Sequence, residues 1–222
     1  MAASYFDVDG TLVRSNLIEP TLFYLLNQAN PLQSAKRLGR ALALAPAMAL
    51  AELVDRRMFN ELLYSTYEGM GEDRLHLLAD EVFERQTRPG LYAAARELVA
   101  KSRAVGHEIV LVSGTLDFIL QKLGDHLGGC TLICNRLEIR NNVATGKLLT
   151  PVVAGPEKAR LIRKHARERG YELDDCYAFS DSYSDVPMLS VVGHPAAVNP
   201  DPRLALLARA YNWPSFRLSG PR

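Results

Sequence analysis

Cysteine is scarce in this chain. Cys130, Cys134 and Cys176 cannot close a complete disulfide set and match no metal-ligand spacing. They read as small buried hydrophobes in a reducing compartment. Net charge is nearly absent as well: 26 Lys and Arg stand against 25 Asp and Glu. At +1 there is no electrostatic case for nucleic acid as the main partner. Long apolar runs are missing. The most apolar stretch, Ala41 to Ala51, is broken by Pro46 and falls short of the roughly 20 residues a bilayer span needs. A buried helix pair is the expectation there, with a membrane-touching surface as the alternative. No basic segment followed by an apolar stretch opens the sequence, so a secretory leader is not expected and the cytoplasm is. Repeats and low-complexity segments are absent too.

What remains is ordinary globular composition, 48% hydrophobic and 23% charged over 222 residues. At about 100–200 residues per domain, this allows one large domain or a core carrying an inserted module. Ser4-Tyr5-Phe6 reads as an opening strand. From Asn16 to Arg88 the pattern is helical, with no convincing strand. Pro20 suits a first helical turn. Leu22, Leu25, Leu26 and Ala29 follow at helical spacing, and Asn30-Pro31 is expected to end that helix. A second helix is expected to run to Pro46 and a third to follow it. Met58, Leu62 and Leu63 mark another, stopped near Gly69 and Gly71. Leu75, Leu78, Ala79, Val82 and Phe83 form the cleanest amphipathic stripe.

After Pro89-Gly90 helices and strands alternate. Leu91 to Leu98 marks a helix closed by Gly106. Ile109–Val112, Thr131–Cys134, Cys176–Phe179 and, last, Ala196–Val198 read as strands. Leu137 and Ile139 lead to a hairpin turn at Asn141-Asn142. A helix opens at Pro156 and ends at Gly170, and the tail Ser219–Arg222 reads as loose. Alternation of this kind predicts an α/β fold, a parallel sheet with helices on both faces. The opening strand must join that sheet. The expected division is a core of residues 1–15 and 89–222, with 16–88 as an inserted helical cap.

The stretch Asp7-Val8-Asp9-Gly10-Thr11 ends the opening strand. Residues two apart share a face of a strand, so Asp7 and Asp9 face one site, and Gly10 allows a sharp turn or a close approach. Two neighbouring carboxylates raise one another's pKa unless a cation separates them, and Mg2+ suits such oxygen ligands. A calcium loop is excluded, because Leu12 and Ile18 occupy the positions that need Gly and Glu. A structural turn is the plainer alternative. Three further stretches carry polar groups at strand ends or a helix start, where parallel sheets bind ligands. Ser113-Gly114-Thr115 is expected to turn into a helix and aim N–H groups and a hydroxyl at an anion. Lys158 sits in a first helical turn, where the dipole disfavours a cation. Ser180-Asp181-Ser182-Tyr183-Ser184-Asp185 adds a second pair of carboxylates. Together they suit phosphoryl transfer with a carboxylate nucleophile.

With these four motifs in this order, the chain resembles the haloacid dehalogenase superfamily of aspartate-nucleophile hydrolases. Within it, the chain is similar to the phosphoserine-phosphatase-like subfamily (subclass IB). The resemblance spans nearly the whole chain. It implies a Rossmann-like core with an inserted helical cap, Mg2+ as cofactor, and a small phosphate ester as substrate. It assigns Asp7 as nucleophile and Asp9 as acid, then base. It gives Thr11, Ser113 and the amide of Gly114 to the phosphoryl group, and Lys158 to the phosphate and Asp7. The metal falls to Asp7, the carbonyl of Asp9 and Asp181, with Asp185 in support. The family's dehalogenases lack the second aspartate of the first motif, so Asp9 favours phosphate chemistry.

Two departures stand out. Asn16 replaces a subfamily Glu that contacts the amino acid, with Glu19 about one helical turn later. Ser184 replaces an Asn before the last aspartate. The expected function is a Mg2+-dependent phosphomonoesterase for a small metabolite, with amino-alcohol phosphates such as histidinol phosphate and phosphoserine as first candidates. A lipid-phosphate phosphatase, a phosphomutase and a catalytically silent binding module are the alternatives. Arg56 and Arg57 either contact a substrate carboxylate or second phosphate, or form a solvated helix face.

Overall fold

The structure, a computed structural model, describes residues 1–28 and 30–218. Ala29 and the tail Ser219–Arg222 lie outside the described residues. Strand β1 (Ala3–Phe6) leads into four helices: α1 (Ile18–Leu26), α2 (Pro31–Val54), α3 (Arg56–Ser65) and α4 (Glu72–Val82). A π turn at Phe83–Thr87 and a short α5 (Arg88–Gly90) return the chain to the sheet. There follow α6 (Ala93–Ala104), β2 (Glu108–Leu116), α7 (Asp117–His126) and β3 (Thr131–Asn135). The hairpin β4 (Leu137–Arg140) and β5 (Val143–Leu148) comes next, then α8 (Pro156–Arg169) and β6 (Tyr177–Ser180). The chain closes with α9 (Val186–Leu189), β7 (His194–Val198), α10 (Pro202–Ala210) and β8 (Ser215–Phe216).

Six strands form one parallel sheet in the order β3-β2-β1-β6-β7-β8. β1 is central, paired with β2 on one side and β6 on the other. All four of its residues are buried, which is why it reads as an apolar run without alternation. Phe6, Leu111 and Phe179 pack on one face with α6 and α7. Tyr5, Val110 and Ala178 pack on the other with α8 and α10. Strand order reverses at β1 and β6, which makes the crevice beyond their carboxyl ends the natural ligand site.

The helical block packs around Tyr24, Tyr64, Tyr67, Leu75 and Leu78, and this cluster runs on into Leu116 at the end of β2 and Ile119 of α7. The hairpin joins that core through Leu137 and Ala144. Its turn holds Asn141 and Asn142 at φ 51° and 61°, as the sequence expects of a two-residue hairpin. Three backbone hydrogen bonds stitch it to the block: Gly69 to Ala144, Ala144 to Met70, and Glu72 to Asn142.

Four expectations are corrected. Asn30-Pro31 does not end α1; it opens α2, with Asn30 Oδ1 accepting from the Leu32 amide at 2.9 Å and Pro31 in the first turn. The second and third helices are one helix of 24 residues running through Pro46. Pro46 has no N–H for the carbonyl four residues back, but both it and Leu42 are exposed, where water reaches that carbonyl. The alanines around it favour helix. The run Ala41–Ala51 is not a buried pair: only Ala51 is fully buried, while Leu42 and Leu50 are 65% and 62% exposed. Finally, Ala196–Val198 is not the last strand, since β8 pairs with β7; two residues are too short to show a period. Of the cysteines, all free, Cys176 is buried and Cys130 and Cys134 are half-buried.

Candidate active site

The chain leaves β1 and winds tightly around the carbonyl of Val8, which accepts from the amides of Thr11, Leu12 and Val13. Gly10 makes this possible. Its φ is +83°, and a Cβ there would lie 2.1 Å from Asp181 Oδ2. The position therefore needs glycine twice, for its backbone and for the approach of Asp181 from the end of β6.

Asp7 is buried. Its Oδ2 accepts from Thr11 Oγ1 at 3.0 Å and its Oδ1 from Lys158 Nζ at 2.7 Å. The same Nζ donates to Asp185 Oδ2 at 2.8 Å, and Ser180 Oγ donates to that oxygen from the other side. Lys158 is buried in the first turn of α8, so the two carboxylates supply the counter-charge that the helix dipole withholds. They hold its pKa above the usual lysine value although burial opposes them. Thr11 Oγ1 also reaches Asp181 Oδ1 at 3.2 Å. Asp9 is gripped by three hydroxyls: Ser15 on Oδ1, and Ser113 and Thr115 on Oδ2, at 2.9, 3.3 and 2.9 Å.

Burial, and then the neighbouring Asp7 and Asp185 charges, raise the Asp181 pKa to about 8. Burial also raises that of Asp7, against the pull of Lys158. This end of the sheet thus carries more negative charge than its own cation balances. Among the described residues no three His, Cys, Asp or Glu side chains form a ready metal cluster. The expected donor set needs only two, Asp7 and Asp181, beside a main-chain carbonyl. Hard carboxylate and carbonyl oxygens with surplus negative charge fit Mg2+.

Asp7, Asp9, Gly114, Lys158, Asp181 and Asp185 line one cleft of about 170 Å3. Thr11 and Ser113 are fully buried beneath it, hydrogen-bonded to carboxylates. The Ser113-Gly114-Thr115 stretch is not a helix start, as expected, but an irregular end of β2, which runs on to Leu116. The Gly114 carbonyl accepts from Asn135 Nδ2 and Tyr64 OH, and these bonds hold the strand extended.

Asn16 also lines the cleft. Its Oδ1 accepts from the Ile18 and Glu19 amides, and its Nδ2 donates to Glu19 Oε1. The helical block adds Arg56 and Asn60, both lining the cleft. Arg56 pairs with Glu52, whereas Arg57 pairs with Glu61 on an exposed face. Asn60 Oδ1 is buried with no donor among the described residues, which leaves an acceptor for a ligand. Sequence reasoning assigned no role to Ser15, Thr115 or Asn60. Asn60 carries no local signal, being one polar residue in an amphipathic helix.

Residues 5–190 match the family model for haloacid dehalogenase-like hydrolase, and the chain belongs to that family. It is 30% identical to the inhibition of morphological differentiation protein of Streptomyces azureus, over 99% of this chain and 79% of that protein. It is 29% identical to a phosphoserine phosphatase of Mycobacterium tuberculosis, over 96% of this chain and 69% of that one. Among solved structures, a Bordetella pertussis protein with unknown function superposes with a TM-score of 0.81 at 23% identity, over 97% of each chain. A phosphoserine phosphatase in apo form gives 0.70 at 19%, over 99% and 94%. These likenesses show the shared α/β fold.

Proposed function

We propose that the chain is a Mg2+-dependent phosphomonoesterase that works through an aspartyl-phosphate on Asp7. The observation that carries this reading is the position of Lys158, buried between Asp7 and Asp185 at the carboxyl ends of β1 and β6. Lys158 keeps Asp7 ionised and oriented at the cleft. Asp7 attacks phosphorus as the ester P–O bond breaks, and Asp9 gives its proton to the leaving alkoxide. Asp9 then takes a proton from water as the water oxygen attacks the phosphoryl group, which frees Asp7. The three hydroxyls on Asp9 fix its carboxyl for both transfers. Asp7, Asp181 and the Asp9 carbonyl would hold Mg2+, with Asp185 in support through Lys158. When bound, the ion supplies charge neutralisation for the phosphoryl oxygens. Thr11 and Ser113 stand within one hydrogen bond of these carboxylates, and with the Gly114 amide they form the phosphoryl-binding set.

The helices of residues 16–88, with the hairpin, act as the cap that contacts the leaving group. The name of the mycobacterial relative supports an alcohol monophosphate as substrate. Asn16 carries no charge to pair with an ammonium group and its amide is engaged by α1, so phosphoserine is expected to rank low. Three free thiols suit the reducing cytoplasm. Phosphate release from a panel of metabolite monophosphates, with Mg2+ and with EDTA, tests the reading. Turnover of several esters with Mg2+ and none in EDTA supports it; no turnover of any ester, including p-nitrophenyl phosphate, overturns it.

A further inference from the structure

Beside the phosphate cleft lies a second cavity of a different character. It has a volume of about 300 Å3 and is walled by α1, α2 and α3, chiefly Leu22, Leu25, Ala41, Ala45, Met48 and Leu63. Its few polar side chains are engaged elsewhere. Thr21 donates to the Leu17 carbonyl, Thr66 to the Leu63 carbonyl, and Glu52 pairs with Arg56. Nothing in this lining is arranged to receive a polar leaving group.

The two cavities share a wall. Leu17 and Asn60 line the cleft, and their chain neighbours Ile18 and Phe59 line the apolar cavity. Arg56 lines the cleft, its ion-pair partner Glu52 lines the cavity, and its guanidinium lies 5.3 Å from the Phe59 ring centroid. Leu17, Phe59 and Asn60 in that wall are buried, so a molecule with its phosphate at Asp7 meets the apolar surface by passing over the exposed rim at Ile18 and the Arg56–Glu52 pair. That surface is also open to solvent, since Leu22 and Leu42 are 42% and 65% exposed.

We propose that the leaving group of the physiological substrate is an alkyl or acyl chain lodged between α1, α2 and α3, so that the site hydrolyses a single-chain amphiphilic phosphate monoester. This rests on the phosphomonoesterase reading. Hydrolysis leaves the chain as a free alcohol and the phosphate on Asp7 for water, so no further reactant is required. A volume of about 300 Å3 is at the lower end for small-molecule pockets, which suits one chain and not two.

The test is a series of butyl, hexyl, octyl and dodecyl phosphates, each below its micelle concentration, with p-nitrophenyl phosphate as reference. Phosphate release and calorimetric binding are both read, with Mg2+ present. Each methylene buried raises kcat/KM up to about fourfold, so octyl over butyl phosphate approaches on the order of 100-fold. The gain levels off once the cavity is full. Ala45→Trp, at an exposed position of the lining, lowers the octyl to p-nitrophenyl ratio about tenfold or more. A flat series with p-nitrophenyl phosphate turned over overturns the inference and leaves the phosphatase standing. Binding that tightens with chain length while no ester is hydrolysed supports the cavity assignment and sinks the phosphatase. A flat series together with an oligomeric state altered by Ala45→Trp makes the cavity a contact between copies, and the inference falls.

Discussion

The two ends of the sheet each hold buried or half-buried carboxylate charge, one Glu at the amino end and several Asp at the carboxyl end, and they treat it oppositely. At the amino end, Glu108 opens β2 and receives Arg169 twice, Thr131 and Tyr171. Burial opposes its charge, but those donors outweigh it and lower its pKa to about 2. At the carboxyl end, Asp7 and Asp185 share Lys158, while Asp181 beside them has no cation of its own and is driven up to about 8 by burial and by their charges. One end is complete in itself, while the other has more charge than the chain balances. The contrast separates a self-balanced cluster from an end left with surplus negative charge, the kind of imbalance that functional sites carry.

The largest expected effect comes from Asp7→Asn. It removes the charge proposed to attack phosphorus, and turnover should fall by about 10^4-fold or more. Beryllium fluoride, which mimics the acyl-phosphate, binds the native protein and fails on the variant. Retained activity would remove Asp7 from the chemistry.

Asp181→Asn sharpens the contrast, because function and stability should move in opposite directions. A carboxyl whose folded pKa lies above its unfolded value of 3.8 destabilises increasingly as pH rises from there toward about 8. The neutral variant escapes that cost. In EDTA at pH 8 it should melt about 2–4 °C above the native protein, the equivalent of about 1 kcal/mol. With Mg2+ its turnover should fall about 100-fold or more, since residues that only orient metal ligands already cost about 10–100-fold when lost. A lower melting point in EDTA would mean that Asp181 is an ordinary structural carboxylate.

Gly10→Ala places a methyl group against Asp181 at a left-handed backbone position. It should cost about 2 kcal/mol or more and reduce turnover together with stability. Urea unfolding beside phosphate release would read both.

The smallest effect belongs to the balanced end. A lowered carboxyl pKa contributes stability that is present above the unfolded value of 4.5 and is lost as pH falls toward about 2. Glu108→Gln should therefore cost about 2 kcal/mol at pH 7, less than the full shift implies because half-exposed Arg169 is screened by water. The cost should shrink at pH 3, and turnover should hardly change. A large loss of activity from this variant would break the division between the two ends.

Much of this was legible in the sequence. The α/β alternation, the β4–β5 turn and the α8 boundaries follow from local periodicity, Gly and Pro. Asp7, Asp9, Lys158, Asp181 and Asp185 stood out because each follows a strand or opens a helix. The partners they meet did not. Thr115 and Asn60 act through contacts that span 106 and 93 residues, which no local pattern encodes, and Ser15 reaches Asp9 only through the tight winding of the turn after β1. The unbroken α2 was missed because Pro46 is costly in a buried helix and tolerable in an exposed one. The exposure of Leu42 and Leu50 was missed because apolar composition does not say which surface covers it.

The hairpin has a mechanical consequence. It departs from the end of β3 and rejoins the chain before α8, yet it is fastened to residues 69–72 of the helical block. Any swing of that block must carry the hairpin along. The chain therefore crosses between block and core not twice but four times, near Arg14, near Gly90, at Arg136 and at Leu149, beside the packing of α4 on α7. Such a mounting resists twisting more than bending. It favours a single opening direction, and amides on both sides of the Gly69–Ala144 seam should exchange with solvent as one unit.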